Sequence, residues 1–156
     1  MRLTLHTDYA LRSLVYLGTV PDRLCSIREI AHAYDISENH LVKIIHRLGL
    51  AGFVKTTRGR KGGLRLARAP DQIRLGDVVR STEEDMALVS CMQLSDETPL
   101  CALCRLMPDC HLKGVLNEAL AAFMAVMDQR TLADVIQDFE RTKLSENLIA
   151  PKLRLD

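Results

Sequence analysis

The chain is predicted to be mainly α with a small β-hairpin, a winged helix-turn-helix domain followed by a long C-terminal helix. Three observations carry that prediction. The 156 residues are 47% apolar but only 4% aromatic, with no tryptophan, so the core must be aliphatic, which favours helices packed on helices. Two short helical patterns are joined by a tight connection, the helix-turn-helix plan. A basic, glycine-centred hairpin follows directly, in the position of a wing.

Taken in order, Thr7–Leu17 reads as the first helix, with Tyr9, Ala10, Leu14 and Leu17 recurring about one turn apart. Pro21 and Asp22 mark a turn. Ser26 stands three residues before Glu29, a capping-box pattern that opens a second helix over Ile27–Tyr34. Past Asp35 and Ile36, Ser37 caps a third helix running through about Ala51, with Leu41, Ile44, Ile45 and Leu48 inward and Gly52 at its end. Phe53–Arg58 and Leu64–Arg68 are strand-prone, and Gly59–Gly63 turns between them. Ile73–Glu83 is a further helix.

Ser90–Cys110 then breaks periodicity, holding two prolines and four of the five cysteines. Leu112–Met127 is strongly amphipathic, with Leu112, Leu116, Leu120, Phe123 and Met127 on one broad face. Thr131, with Asp134 three residues on, starts a last short helix, and no pattern is visible from about Leu144. The expected division is a winged-helix DNA-binding domain over 1–84, a cysteine-bearing loop over 85–111, the long and short helices over 112–143, and a tail over 144–156.

The net charge of +1 conceals an asymmetry. Residues 1–82 carry fourteen Lys/Arg against seven Asp/Glu, whereas residues 83–156 carry seven against thirteen. A basic half joined to an acidic one points to a nucleic-acid-binding part with something attached. No apolar run approaches the roughly 20 residues of a membrane span, and no secretory leader is visible, so a cytoplasmic location without membrane contact is expected.

The basic residues fall where double-stranded DNA would be read. His40, Lys43 and Arg47 lie opposite the apolar stripe of the third helix, with Asn39 beside them, placing a polar, cationic face toward the major groove. Lys43 and Arg47 suit phosphates or guanine edges, and Asn39 suits adenine. In the hairpin, Arg58, Arg60 and Lys61 cluster around glycines that let backbone approach a phosphate or enter the minor groove. Catalysis has little support, and an enzyme is left only as a thiol-redox protein using Cys101 and Cys104. The hairpin glycines do not form a dinucleotide or phosphate-binding fingerprint, and His32 and His46 are isolated, without a chemical role.

The cysteines run Cys91-x9-Cys101-x2-Cys104-x5-Cys110-His111, with Cys25 far off as a buried or half-buried thiol. Such a cluster in a reducing compartment suggests metal or redox chemistry rather than disulfides. Three chemistries fit: a structural zinc site, for which only Cys101 and Cys104 make a tight pair; an iron–sulfur cluster, which tolerates irregular spacing; and a metal-free thiol pair.

The opening MRLTLHTDYALRSLVYL, the run SENHLVKIIHRLGLAGFVKTTRGRKGGLRL and the segment IRLGDVVR resemble the Rrf2 family of winged-helix repressors over roughly residues 1–135. Asn39–Lys43 and Thr7–Arg12 are most similar to its NsrR branch, which senses nitric oxide. The resemblance implies a homodimer whose long dimerisation helix, about Leu112–Met127, packs against its partner, and an iron–sulfur cluster beside it, four-iron in preference to two-iron. It implies Cys91, Cys104 and Cys110 as ligands, with the partner subunit's Asp8 as the fourth. The interval from Cys91 to Cys104 is longer than the family's, which leaves Cys101 as the alternative second ligand. The implied function is a repressor that binds operator DNA and releases it when nitric oxide reacts with the cluster. A regulator responding to iron or cluster supply shares the same fold, and a DNA-binding or assembly protein with structural zinc is the reading from another class.

Overall fold

The computed structural model describes residues 2–59, 61–92, 106 and 109–149, with the backbone alone for 145–149. Helix α1 spans Leu5–Thr19, longer at both ends than the apolar pattern, and is capped by Thr4, which accepts from the Thr7 backbone N–H at 3.3 Å. Its Ala10, Leu14, Tyr16 and Leu17 are at the centre of the core. Helix α2, Ile27–Tyr34, begins where Ser26 Oγ accepts from the Glu29 N–H at 3.0 Å. It ends on Asp35, held at φ 56° in the left-handed region that an aspartate tolerates better than most residues.

Helix α3, Glu38–Leu50, buries Leu41, Ile44, Ile45 and Leu48, as the spacing requires. Ser37 occupies the cap position without making a side-chain cap bond. Gly52 takes φ 75° just past the helix and turns the chain into the hairpin. Strands β1 (Val54–Thr57) and β2 (Gly63–Leu66) pair antiparallel, Val54 opposite Leu66 and Thr57 opposite Gly63.

The hairpin is anchored from a third side. Cys25 exchanges both backbone hydrogen bonds with Leu64, at 2.9 and 2.7 Å, which buries the cysteine to 1% exposure. Burial, followed by the nearby Glu29 carboxylate, pushes its thiol up to about 11. At pH 8 an alkylating reagent is therefore expected to leave Cys25 untouched in the native protein and to modify it after unfolding in urea; rapid native modification would contradict this packing.

Helix α4, Leu75–Thr82, is shorter than predicted because Ile73 and Arg74 are extended. They pair with the chain beyond the long helix, with Leu75 N–H to Arg130 O at 2.9 Å and Leu132 N–H to Ile73 O at 2.8 Å. Helix α5, His111–Gln129, leaves against α4, fixed at its far end by Arg80, which holds both Asp128 oxygens at 2.7 and 2.6 Å. The Thr131–Asp134 capping box forms as read but opens a short 3-10 turn over Leu132–Val135 instead of an α-helix.

Helix α6, Asp138–Ile149, is the main departure from the sequence reading, which expects a patternless tail from 144. It lies across α1 and α2 and buries Leu144 there. Glu140 starts it by accepting from the Gln137 N–H at 3.0 Å. Among the described side chains of this helix Leu144 is the buried one, too little for an apolar stripe that periodicity would detect. Among the described residues no helix is long and apolar enough to cross a membrane.

Candidate nucleic-acid interface and cluster ligands

The outward face of α3 differs from the row His40, Lys43 and Arg47 read from spacing. Asn39, His40 and Lys43 are exposed. Arg47 is half-buried, and its Nε donates to the Ser81 carbonyl of α4 at 2.7 Å, so this side chain is committed to a neighbouring helix. At about 100° per residue, His46 falls within about 20° of Asn39, on the line farthest from the core, with Lys43 about 40° to one side and Val42 about 60° to the other. His46 and Val42 are both exposed, and the sequence reading assigned neither a part in DNA contact. The interval of seven residues from Asn39 to His46, two helical turns, was the available clue.

His40 and Lys43 also border a cavity of about 200 Å³ with Leu5, His6 and Tyr9 of α1. His6 is held below its ordinary pKa by burial and then by the Arg47 charge, so it is neutral at pH 7. The same end of α1 is tied to the end of α4. Glu83 accepts from the Thr4 N–H at 2.9 Å and from the Thr4 and Thr7 hydroxyls, while the Thr7 and Thr82 hydroxyls stand 2.8 Å apart. Burial pushes the Glu83 carboxyl up, but these hydrogen bonds outweigh it and hold the group below the usual range.

In the wing, Arg58 and Lys61 are fully outward, and Arg60 lies outside the described residues. Gly59, at φ 110°, accepts from the Gly62 N–H at 2.9 Å to close the turn. A Cβ on Gly62 would stand 2.2 Å from the Thr57 carbonyl oxygen, which is backbone and has no room to retreat. Gly62→Ala is therefore expected to cost about 1–3 kcal/mol and to misplace the basic tip. Thermal unfolding and DNA affinity should fall together; an unchanged melting temperature would show that the turn is looser than this.

Of the cluster-ligand candidates, Cys91 lies in a 3-10 turn at Ser90–Met92 and Cys110 is the N-cap residue of α5; both are free and half-buried. Cys110 makes no side-chain cap bond, which leaves its sulfur uncommitted beside the N–H groups of a 19-residue helix. Cys101 and Cys104 lie outside the described residues. Asp8, half-buried on α1, accepts from Arg12 Nε at 2.8 Å. Among the described residues of a single chain, no three Cys, His, Asp or Glu side chains gather to hold a metal. The donor chemistry nonetheless suits an iron–sulfur cluster, with free thiols outside the core and a carboxylate engaged only in an exposed pair.

Helix α5 buries none of its residues, and Leu112, Val115 and Val126 are 65%, 61% and 59% exposed. Exposed aliphatic surface of this extent on a long helix is of the kind that marks interaction sites.

The family model described as Rrf2, iron-dependent transcriptional regulator, matches residues 3–138. The chain belongs to the Rrf2 family. This Rrf2 protein is 48% identical over 141 residues to the HTH-type transcriptional regulator NsrR of Bacillus subtilis, covering 90% of this chain and 93% of that one. Among solved structures it is similar to CymR, the global cysteine regulator of B. subtilis, with TM-score 0.68, 27% identity and coverage of 87% and 96%. It is also similar to IscR of T. potens, with TM-score 0.69, 26% identity and coverage of 91% and 90%. These likenesses agree with the winged-helix fold and place the Rrf2 chain among DNA-binding transcriptional regulators of NsrR type, not among enzymes.

Proposed function

We propose that this Rrf2 protein is a cytoplasmic homodimeric repressor that holds operator DNA with α3 and the wing and releases it when nitric oxide reacts with an iron–sulfur cluster, four-iron in preference to two-iron. The observation that carries the reading is the position of Cys110, a free thiol at the N-cap position of α5, whose aliphatic face is bare among the described residues. Cluster ligation and subunit pairing then meet at a single point. Residues 1–84 would read DNA, 85–111 would supply Cys91, Cys110 and either Cys104 or Cys101, and α5 would pair the subunits. When bound, the cluster supplies iron that nitric oxide attacks.

The chain's own residues supply the rest. Carboxylate is a poorer partner for such iron than thiolate, so the partner subunit's Asp8 would be the weakest of the residues holding the cluster. Within its own chain Asp8 has an alternative in Arg12, one helical turn away, an exposed pair of a kind worth about 0.3–0.5 kcal/mol. Giving up that pair to ligate costs little, and returning to it offers a resting place. The first turn of α1 reaches α4 through Thr4, Thr7 and Glu83, and α4 reaches α3 through Ser81 and Arg47. A shift at Asp8 thus passes to the recognition helix through two hydrogen-bonded links, and DNA half-sites of fixed spacing are sensitive to that helix's angle.

Asp8→Ala tests the reading. The variant is expected to fold normally, since Asp8 is half-exposed, and to lose the release of operator by stoichiometric nitric oxide. A variant that keeps its cluster and the wild-type response would remove Asp8 from the account.

A further inference from the structure

Helix α3 carries an apolar side chain in the middle of its polar surface. Val42 is 50% exposed, whereas Leu41, Ile44, Ile45 and Leu48 are at most 4% exposed. The other bare aliphatic residue, Leu50, ends the helix. Val42 precedes Lys43 directly and lies one turn from both Asn39 and His46. On the opposite flank, Arg47 is bound to Ser81 and His40 borders the cavity against α1. Before the helix's last residue, the exposed side chains within about 60° of Asn39, on the line farthest from the core, are Asn39, Val42, Lys43 and His46, three polar residues and one valine.

We propose that Val42 is a specificity-determining residue that reads the C5-methyl group of a thymine in the major groove. The inference rests on the reading of α3 as the recognition helix and adds the chemistry of one base contact to it. The thymine methyl is the apolar feature of the major-groove edge, and an aliphatic side chain against it removes water from both. At the same place cytosine carries only a hydrogen on C5, so the contact discriminates T·A from C·G by the missing methyl. A β-branched residue within a helix is nearly confined to one χ1 rotamer, so Val42 is set in place before DNA arrives. Asn39 and Lys43 on either side supply the hydrogen-bonding and charged contacts that fix register around it.

The test uses a duplex selected from random sequences by the wild-type protein. Each thymine is replaced in turn by deoxyuridine, which deletes only the methyl group. One thymine per half-site is expected at which wild type loses about fourfold in affinity, the factor that accompanies loss of one methyl-sized burial. Val42→Ala should bind the unmodified duplex about fourfold more weakly and be indifferent to deoxyuridine at that thymine alone; Val42→Thr, which keeps one methyl, should fall between. Melting temperatures of both variants serve as the folding control. If wild type binds selectively but every deoxyuridine acts equally on wild type and Val42→Ala, the proposal is overturned while the recognition helix stands. If wild type selects no duplex at all, the reading of α3 falls and the proposal with it.

Discussion

An Arg60→Ala, Lys61→Ala protein should bind operator DNA at least about tenfold more weakly than wild type at physiological ionic strength, about 0.15 M. The salt dependence should weaken with it, the slope of log affinity against log salt falling by roughly 1.8, or about 0.9 for each lost phosphate contact. The wing tip is outward at Arg58 and Lys61, and the six basic residues between Lys55 and Arg68 are accompanied by no acid. They are not equivalent. Arg68 stacks over Phe53 at 5.4 Å and donates to the Ala51 carbonyl, so it is held against the domain, whereas Lys61 is free to follow a phosphate or a narrow groove. Equal binding by the double variant at that salt would remove the wing from the DNA interface.

The second large effect concerns α5. Leu112→Glu with Val115→Glu places two charges on adjacent turns of a face that is bare in the single chain. Because neither side chain is buried, the melting temperature of the winged domain should hardly change. Subunit pairing should fail, since burying two unpaired carboxylates costs more than the aliphatic contact returns. Operator affinity should then drop by about a hundredfold or more, because the second half-site is no longer bound as an intramolecular event. Sedimentation and DNA titration check the two parts separately. A variant that remains dimeric would mean that the subunits pair through another surface.

Much of the fold was legible because local chemistry decides it. Ser26 and Glu29 set the start of α2, the inward leucines and isoleucines of α3 follow from 3.6-residue spacing, and the glycines between two strand-prone runs make the hairpin. The larger departures come from contacts between distant segments. Helix α6 packs Leu144 against α1 and α2, a contact between segments far apart in the chain that periodicity does not register. Arg47 leaves the DNA-facing row because of a carbonyl 34 residues away, and its departure makes His46 and Val42 more prominent. Cys25, read as a buried or half-buried thiol, is buried, with its backbone paired to Leu64 of the wing.

The candidate site was legible to a different degree. The wing residues Arg58 and Lys61 and the α3 residues Asn39 and Lys43 are exposed, as their spacing requires. The ligand set is not a property of one chain's periodicity. Asp8 lies at the start of α1 beside Arg12, and in the proposed ligand set it would come from a second subunit. Spacing alone therefore left zinc, iron–sulfur and thiol chemistry open, and the family likeness rather than the cysteine pattern favours the cluster.

The most direct measurement is the absorption spectrum of protein purified without oxygen, with iron and sulfide analysis and operator binding followed on the same sample through stoichiometric nitric oxide. The account predicts a brown protein containing iron and sulfide, whose visible band bleaches as DNA binding is lost. A colourless protein with one zinc per chain, still binding DNA and indifferent to nitric oxide, would contradict the sensor and leave only the winged-helix regulator.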